Sequence, residues 1–200
     1  MVNKTGYFTH PDCWKHEMGQ GHPECPERLD AIHDRLISSG LDVALEQRQP
    51  PLASLEDIAL AHDTDYVASI HDLNLRLQQK IAAGGRGYAQ IDPDTAMNAH
   101  TWHAIMRSAG AAIAATDAVM LGSAAGGVDN AFCAVRPPGH HATRGRSMGF
   151  CFFNQVAIGV KYAMEEYGLT RVAVVVVTTA VFLTAGATLA KSWRKNSRWR

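Results

Sequence analysis

The fold is decided by one stretch, Ala131-Phe132-Cys133-Ala134-Val135-Arg136-Pro137-Pro138-Gly139-His140-His141-Ala142. Its first five residues form a short apolar run, as in a buried strand, and the remaining residues have the composition of a tight loop. The two prolines fix φ and Gly139 can adopt positive φ, so we predict a loop of set shape. In α/β folds, ligands bind outside the carboxyl ends of such strands.

The loop carries two adjacent imidazoles, His140 and His141. Histidine is the side chain whose unperturbed pKa lies closest to neutral pH, so a preset pair indicates proton transfer. An ordinary surface turn that holds two histidines is the alternative. The apolar, aromatic run at residues 148–153 favours a walled site over that alternative, since ligand pockets are mostly apolar with a few placed polar groups.

The elements around this stretch indicate an α/β fold. An alanine-rich helix is predicted over 98–121 and a second helix over 154–167, ended by Gly168. The β-branched run 172–177 has the composition of a buried parallel strand, as does 131–135. Strand, helix and strand in this order describe a βαβ unit. We therefore predict a three-layer α/β/α fold with a mainly parallel sheet.

Helices are also predicted in the N-terminal half. Pro26 begins one that Gly40 ends, because proline suits the first helical turn and glycine the residue after the last. Ser54 and Asp57 have capping-box spacing ahead of a short helix. The next helix is predicted to be capped by Thr64 or Asp65 and to run through Leu77.

Two histidines of this half, His62 and His71, are interpreted as packing or helix-surface residues rather than as ligands. Imidazole is intermediate among side chains in how often it is buried, so a lone histidine near a helix needs no catalytic explanation.

Four motifs occur in a characteristic order and spacing. They are Arg136-Pro-Pro-Gly-His-His-Ala, Gly149-Phe-Cys with Asn154, His22-Pro-Glu-Cys-Pro-Glu-Arg-Leu and Asp92-Pro-Asp-Thr. Together they resemble the signature of the zinc-dependent histone deacetylases and their amidohydrolase relatives, which include acetylpolyamine amidohydrolases. The resemblance extends over about residues 7–175 and implies an arginase/deacetylase-like fold and a metal-dependent C–N hydrolase.

The resemblance implies roles for the histidine loop and the run after it. His141 would be the general base toward a metal-bound water, and His140 its electrostatic companion, each held by a buried acid. Gly149 and Phe150 would shape a narrow channel for the aliphatic stem of an acyl-lysine or acyl-polyamine substrate. A simple core aromatic is the alternative for Phe150.

Two charged residues receive roles by the same resemblance. Asp94 would lie at the rim and grip the substrate backbone, whereas acidic turn residues ordinarily make local turn hydrogen bonds. Arg28 would point inward, near the tunnel through which acetate leaves. An exposed helix charge is the alternative for Arg28.

Composition excludes several other classes of protein. The 19 basic and 19 acidic residues balance, so no nucleic-acid footprint is visible. Four cysteines without a C-x-x-C pair suggest reduced thiols, and residues 1–8 lack the apolar core of a secretory signal, so we expect a cytoplasmic protein. The uncharged run 172–190 contains threonines and a predicted strand, so no membrane contact is expected. Oligomeric state is not readable from the sequence.

The family's metal ligands lack counterparts here. The resemblance places two of these ligands, an aspartate and a histidine, directly after the strand that begins at Val172. It places the third, a second aspartate, later, and an oxyanion-binding tyrosine, which is not a metal ligand, later still. This chain instead reads Val176-Val177-Thr178-Thr179-Ala180, and no aspartate or glutamate occurs after Glu166. Zinc is therefore expected for the family but not for this chain, in which we predict no metal-binding residues.

The final 25 residues have a different character from the rest. Five basic residues lie in the last ten positions, and Thr178-Thr179-Ala180 is what His-His-Gly codons CAC CAC GGC encode when read one base late. We predict that residues 1–175 are the N-terminal part of a deacetylase-like domain and that 176–200 are a divergent, out-of-frame basic tail. Three readings follow: an incomplete metal-dependent deacylase, a non-enzymatic remnant that binds acyl amines or partners, or a membrane-tethered fragment.

Overall fold

The computed structural model describes residues 3–175 of the 200-residue chain. Short 3₁₀ turns at Asp42–Ala44 and Ser123–Ala125 join some of the regular elements. In chain order these elements are β1 (Thr5–Phe8), α1 (Asp12–Lys15), α2 (Glu27–Ser38), β2 (Leu45–Arg48), α3 (Leu55–Ala59), α4 (Thr64–Ala82), β3 (Tyr88–Asp92), β4 (Thr95–Asn98), α5 (Thr101–Leu121), β5 (Asn130–Cys133) and α6 (Gln155–Tyr167).

The central sheet of the described residues is parallel, with strand order β2-β1-β5. In the middle strand, Phe8 pairs with Arg48 on one side and with Cys133 on the other. The mainly parallel α/β fold predicted from the sequence is therefore confirmed, as is the strand near 131–135. The histidine loop leaves this sheet at the carboxyl end of β5.

One predicted strand is wrong in its described part. Residues 172–175 have no regular secondary structure, and Val174 and Val175 are 51% and 80% exposed. Positions 176 and 177 lie outside the described residues. The β-branched composition of this run favours a strand only where a neighbouring strand and a packed face receive it.

Helix α5 is the core of the molecule. Its small side chains are buried, and Gly159 of α6 approaches so closely that an added Cβ would lie 3.3 Å from the Cβ of Ala112. Within the described part of the chain, α5 is long and apolar enough to cross a membrane. However, 61% of its most apolar window is buried inside the protein, as in the core helix of a globular domain.

The helix boundaries largely follow the predicted signals. Ser54 and Asp57 form the predicted capping box at α3, and Asn154 accepts a hydrogen bond from the backbone of Ala157 at the start of α6. Gly168 ends α6 with φ of 62°. One cap was misplaced: Asp63, rather than Thr64 or Asp65, precedes α4, which continues five residues beyond the predicted end at Leu77.

Strands β3 and β4 form an antiparallel hairpin that the sequence did not predict. The predicted rigid turn at 92–95 is present, with Pro93 and Asp94 between the two strands. The hairpin packs β4, whose four residues are all buried, against the body of the protein. This packing fixes Asp94 at the edge of the region occupied by the histidine loop.

Candidate functional site

The histidine loop places its two imidazoles side by side. The ring centroids of His140 and His141 are 4.2 Å apart, with an angle of 46° between the ring planes. His140 is half-buried and His141 is exposed. Burial lowers the pKa of His140, and the neighbouring His141 lowers it further, so the neutral imidazole of His140 is favoured.

A tight turn closes against this pair. Met148 and Cys151 exchange two backbone hydrogen bonds of 3.1 and 3.0 Å across Gly149 and Phe150. Both central residues have positive φ, 56° and 68°, as in the hairpin turns of type I′. A Cβ on Gly149 would lie 2.9 Å from Cδ2 of His141, so glycine permits both this backbone conformation and the close approach of the imidazole.

Phe150 adopts a conformation that costs a non-glycine residue about 1–2 kcal/mol. Two contacts hold it. Its backbone N–H donates to Oγ1 of the buried Thr95 at 3.1 Å, and its ring lies edge-on to His22 with centroids 4.7 Å apart. The side chain is only partly buried, and its buried part packs against the hydrophobic core.

His22 joins this turn to the hairpin. Its Nδ1 accepts a hydrogen bond from the backbone N–H of Glu24 at 3.0 Å, which leaves Nε2 to donate to the carbonyl oxygen of Asp94 at 3.2 Å. Within the hairpin, Asp92 Oδ1 accepts the N–H of Asp94 at 3.0 Å. The Asp94 carboxylate is exposed, and its Oδ1 accepts a hydrogen bond from the Thr95 hydroxyl at 3.2 Å.

A buried ion pair anchors the start of the histidine loop. Arg136 donates two hydrogen bonds of 2.6 Å to the carboxylate of Glu24, and its remaining nitrogen donates to the carbonyl oxygens of Cys13 and His16 at 2.9 and 3.0 Å. Burial raises the pKa of Glu24, but hydrogen bonds from His16 and Arg136 outweigh it and hold the pKa below its usual value. The peptide bond from Arg136 to Pro137 is cis.

This anchor was not predicted from the sequence. The fully buried Glu24 binds Arg136 and lies 3.4 Å from Nε2 of His16, and the buried acid expected behind each imidazole of the histidine pair stays a prediction. Sequence reasoning missed Glu24, Arg136 and His16 because charged residues are almost never fully buried unless paired. The signal available was the presence of both partners inside motifs already singled out, His22-Pro-Glu and Arg136-Pro-Pro.

Arg28 lies on the first turn of α2, one helical turn after Glu24. Its side chain is 44% exposed, and its guanidinium lies 3.8 Å from Oε1 of Glu24. The structure therefore places Arg28 beside the buried acid but at the surface. Its role at an acetate tunnel stays a prediction, as do the roles of His140, His141, Asp94, Gly149 and Phe150.

The described residues do not form a zinc site. Between residues 3 and 175, no three side chains of His, Cys, Asp or Glu are grouped closely enough to hold a metal ion. The segment that the resemblance assigns to the metal lies at residues 176 and beyond, outside the described residues. No chemical step is therefore assigned to a metal here.

Comparison with known proteins decides the family. The sequence profile of the histone deacetylase domain matches residues 22–177. The chain belongs to the histone deacetylase family. This match contains each of the candidate site residues, from Arg28 to Phe150.

Curated relatives within the histone deacetylase family come from several kingdoms. The chain is 37% identical to a histone deacetylase-like amidohydrolase of Pseudomonas aeruginosa over 191 residues, covering 87% of this chain and 47% of that protein. It is 36% identical to the mouse polyamine deacetylase HDAC10, covering 76% of this chain and 22% of that protein. The chain thus spans about half, or less, of the length of these relatives.

The fold is also that of the family. The crystal structure of the HDA15 HD domain superposes with a TM-score of 0.71 at 25% identity, covering 82% of this chain and 44% of the other. The parallel sheet, the long central helix and the loop after β5 therefore form part of a deacetylase fold.

Proposed function

We propose that this chain is the N-terminal part of a deacetylase that binds the acyl amide of an acetyl-lysine or an acetylpolyamine and presents it to the histidine pair, where hydrolysis also requires the metal-binding segment that this chain lacks. The observation that carries the proposal is the turn at Gly149 and Phe150, which closes onto His141 beside the paired imidazole of His140. An amide's leaving nitrogen needs a proton, and attacking water must lose one. In this proposal His141 is the general base and His140 is its companion.

The substrate mouth is assigned to three residues. Phe150 offers a partly exposed aromatic face to the acyl chain, and Gly149 leaves the space that a side chain would fill. Asp94 lies at the hairpin tip with its carboxylate exposed, where it can accept hydrogen bonds from a substrate backbone or pair with a substrate ammonium. The names of the relatives, a polyamine deacetylase and a histone deacetylase-like amidohydrolase, support this substrate class.

Binding without turnover is the second candidate function. It is favoured by the absence of a metal-binding group among residues 3–175 and by a sequence with no Asp, Glu or His after Glu166. In this case the chain keeps the ligand-binding residues of the family and lacks the metal ligands that activate water.

We also propose that the protein resides in a reducing compartment such as the cytoplasm, which is supported by its four free cysteines.

Ligand binding tests the shared part of both candidates. The 200-residue chain is titrated with acetyl-lysine methylamide and with an acetylated polyamine, and NMR signals of His141 and Phe150 are followed. We expect saturable shifts at both residues, with affinity weakened about tenfold by Phe150→Ala through the loss of apolar contact. Asp72→Asn, an exposed change on α4, is the control. Shifts confined to other parts of the chain would contradict the proposal.

A further inference from the structure

His62 contacts both ends of the loop that connects the histidine pair to α6. Its side chain is 1% exposed although it lies in the turn between α3 and α4. Nδ1 is 3.1 Å from the carbonyl oxygen of Arg144, near the start of that loop. Nε2 accepts a hydrogen bond of 2.8 Å from the backbone N–H of Asn154, at its end.

These two partners define the state of the imidazole. A backbone N–H can only donate, so Nε2 of His62 must carry a lone pair. A carbonyl oxygen can only accept, so Nδ1 must carry the proton. The neutral tautomer protonated at Nδ1 therefore satisfies both contacts, and neither the other tautomer nor the imidazolium does.

Neighbouring groups strengthen the same connection. The backbone N–H of Asp63 donates to the carbonyl oxygen of Arg144 at 3.0 Å, and the Arg144 side chain donates to the Asp63 carboxylate at 2.6 Å. Tyr66, one turn into α4, donates its hydroxyl proton to the carbonyl oxygen of Phe152 at 2.7 Å. Three hydrogen bonds made by Asp63 and Tyr66, at the start of α4, thus hold the loop of residues 142–154.

The hydrogen bonds of His62 are linked through Asn154 to His141, the proposed general base. Asn154, held by His62 through its backbone, donates its side-chain amide to the carbonyl oxygen of Ala142 at 3.0 Å. Ala142 directly follows His141 in the chain. A displacement of Asn154 would therefore reach His141 across one hydrogen bond and one peptide unit.

We propose that His62, as the neutral Nδ1–H imidazole, is a positioning residue that sets the loop of residues 142–154 and through it His141 and the Gly149–Phe150 turn. Its importance for hydrolysis depends on the proposed function, whereas the clamp itself does not. The sequence predicted a packing or helix-surface role for His62, and the structure adds two specific hydrogen bonds to its burial.

Protonation of His62 would weaken this clamp. An imidazolium would point a second N–H at the Asn154 N–H, and donors facing each other repel. The charged and titratable groups facing the ring are Asp63 and Arg144, which pair with each other, and Tyr66, whose ring centroid is 5.5 Å away. Burial lowers the pKa of His62, opposed by hydrogen bonds to the carbonyls of Arg144 and Thr143. A polar cleft of about 640 Å³ borders this corner, lined in part by His62, Asp63 and Arg144.

The tautomer can be measured in the unmodified chain. With ¹⁵N-labelled histidine, the two ring nitrogens of His62 distinguish the Nδ1–H form from the Nε2–H form near neutral pH. We expect Nδ1–H, and we expect hydrogen exchange at the Asn154 amide to accelerate as His62 becomes protonated. An Nε2–H imidazole would overturn the proposal, as would a hydrogen-exchange rate of the Asn154 amide that does not change when His62 becomes protonated.

Variants then separate the two hydrogen bonds. In His62→Gln the side-chain oxygen can reach the position of Nε2 and accept from Asn154, whereas the shorter side chain in His62→Asn can keep only the contact with Arg144. We expect Asn154 exchange to accelerate at least about tenfold more in His62→Asn than in His62→Gln. The ring signals of His141 should move in His62→Asn and remain unchanged in His71→Gln, a matched histidine on α4 that packs on Trp102. Equal exchange and unmoved His141 signals in all three variants would overturn the positioning role. Loss of ligand binding with the clamp intact would instead contradict the proposed function alone.

Discussion

Arg136 and Glu24, 112 residues apart in the chain, form a fully buried, two-pronged ion pair with both N···O distances at 2.6 Å. The pair joins the loop before α2 to the residue that precedes the histidine loop. Removing one member of a buried pair leaves the other without a partner, so the energetic consequence far exceeds that of a surface pair.

We expect Glu24→Gln to reduce the free energy of unfolding by about 3–5 kcal/mol, because Arg136 would remain buried beside a neutral amide. Urea denaturation followed by circular dichroism measures this change. Glu27→Gln, an exposed residue three positions away at the start of α2, is the matched control and should lower the unfolding midpoint only slightly, through the loss of a favourable charge at a helix N-terminus. Similar midpoints for the two variants would show that the buried pair does not hold the loop.

A second prediction concerns Gly139. A Cβ at this position would overlap Oε1 of Gln155 and the carbonyl oxygen of Phe153, so alanine forces the histidine loop away from the start of α6. We expect Gly139→Ala to cost about 1–3 kcal/mol of stability, as overpacking does. At Gly87 the nearest atom to an added Cβ is Cδ1 of Ile81 at 3.7 Å, an ordinary contact. Gly87→Ala should therefore be tolerated, and thermal melting of the two variants compares them directly.

Gly139 also shows what the sequence could not give. Its conformational freedom was the expected reason for glycine in the histidine loop, yet Gly139 is absent from the residues with positive φ. It is needed for space, and the residues that crowd it lie 14 and 16 positions away in the chain. Gly149, whose role was given only by resemblance, does adopt a positive φ of 56° beside the histidine pair.

Local signals were sufficient where a helix end depends on neighbouring residues. The capping box of Ser54 and Asp57 and the ends of α6 at Asn154 and Gly168 were all predicted in place. The parallel strands β1 and β2 were missed. Each has only four residues, and β2 shows no buried side chain, so neither has the apolar run that marks a central strand.

Acidification tests the buried histidines. Burial is the leading cause that lowers the pKa of His16, His62 and His140 in the folded chain. In the unfolded chain these groups titrate near 6.5, so below about pH 6.5 the unfolded state binds more protons than the folded state. Stability should therefore be full above this pH and fall as the pH drops toward the lower folded-state values.

Urea midpoints at about pH 7.5, 6.5 and 5.5 measure this dependence, which spans the unfolded-state pKa of histidine. His62→Gln should reduce the slope between the two lower pH values, because one titrating group is removed. His103→Ala, a change at an exposed histidine on α5, should retain it. Stability that is constant or increases on acidification across this range would contradict the prediction.

The last prediction concerns zinc and turnover. We expect the 200-residue chain to bind no catalytic zinc and to hydrolyse acetyl-lysine amides negligibly, since catalytic zinc sites use three protein ligands and residues 3–175 offer no such group. The sequence supplies no Asp, Glu or His after Glu166. His140 and His141 cannot serve as replacements, because a metal-bound imidazole is no longer free to take a proton. Metal content by emission spectroscopy and acetate release measure the two expectations, and one zinc per chain with chelator-sensitive turnover would refute them.

In a chain whose reading frame is shifted from codon 176, we expect both bound zinc and turnover to appear. In that chain His141→Ala should retain the metal and lose about 10²–10⁴-fold in rate, the range of general-base contributions.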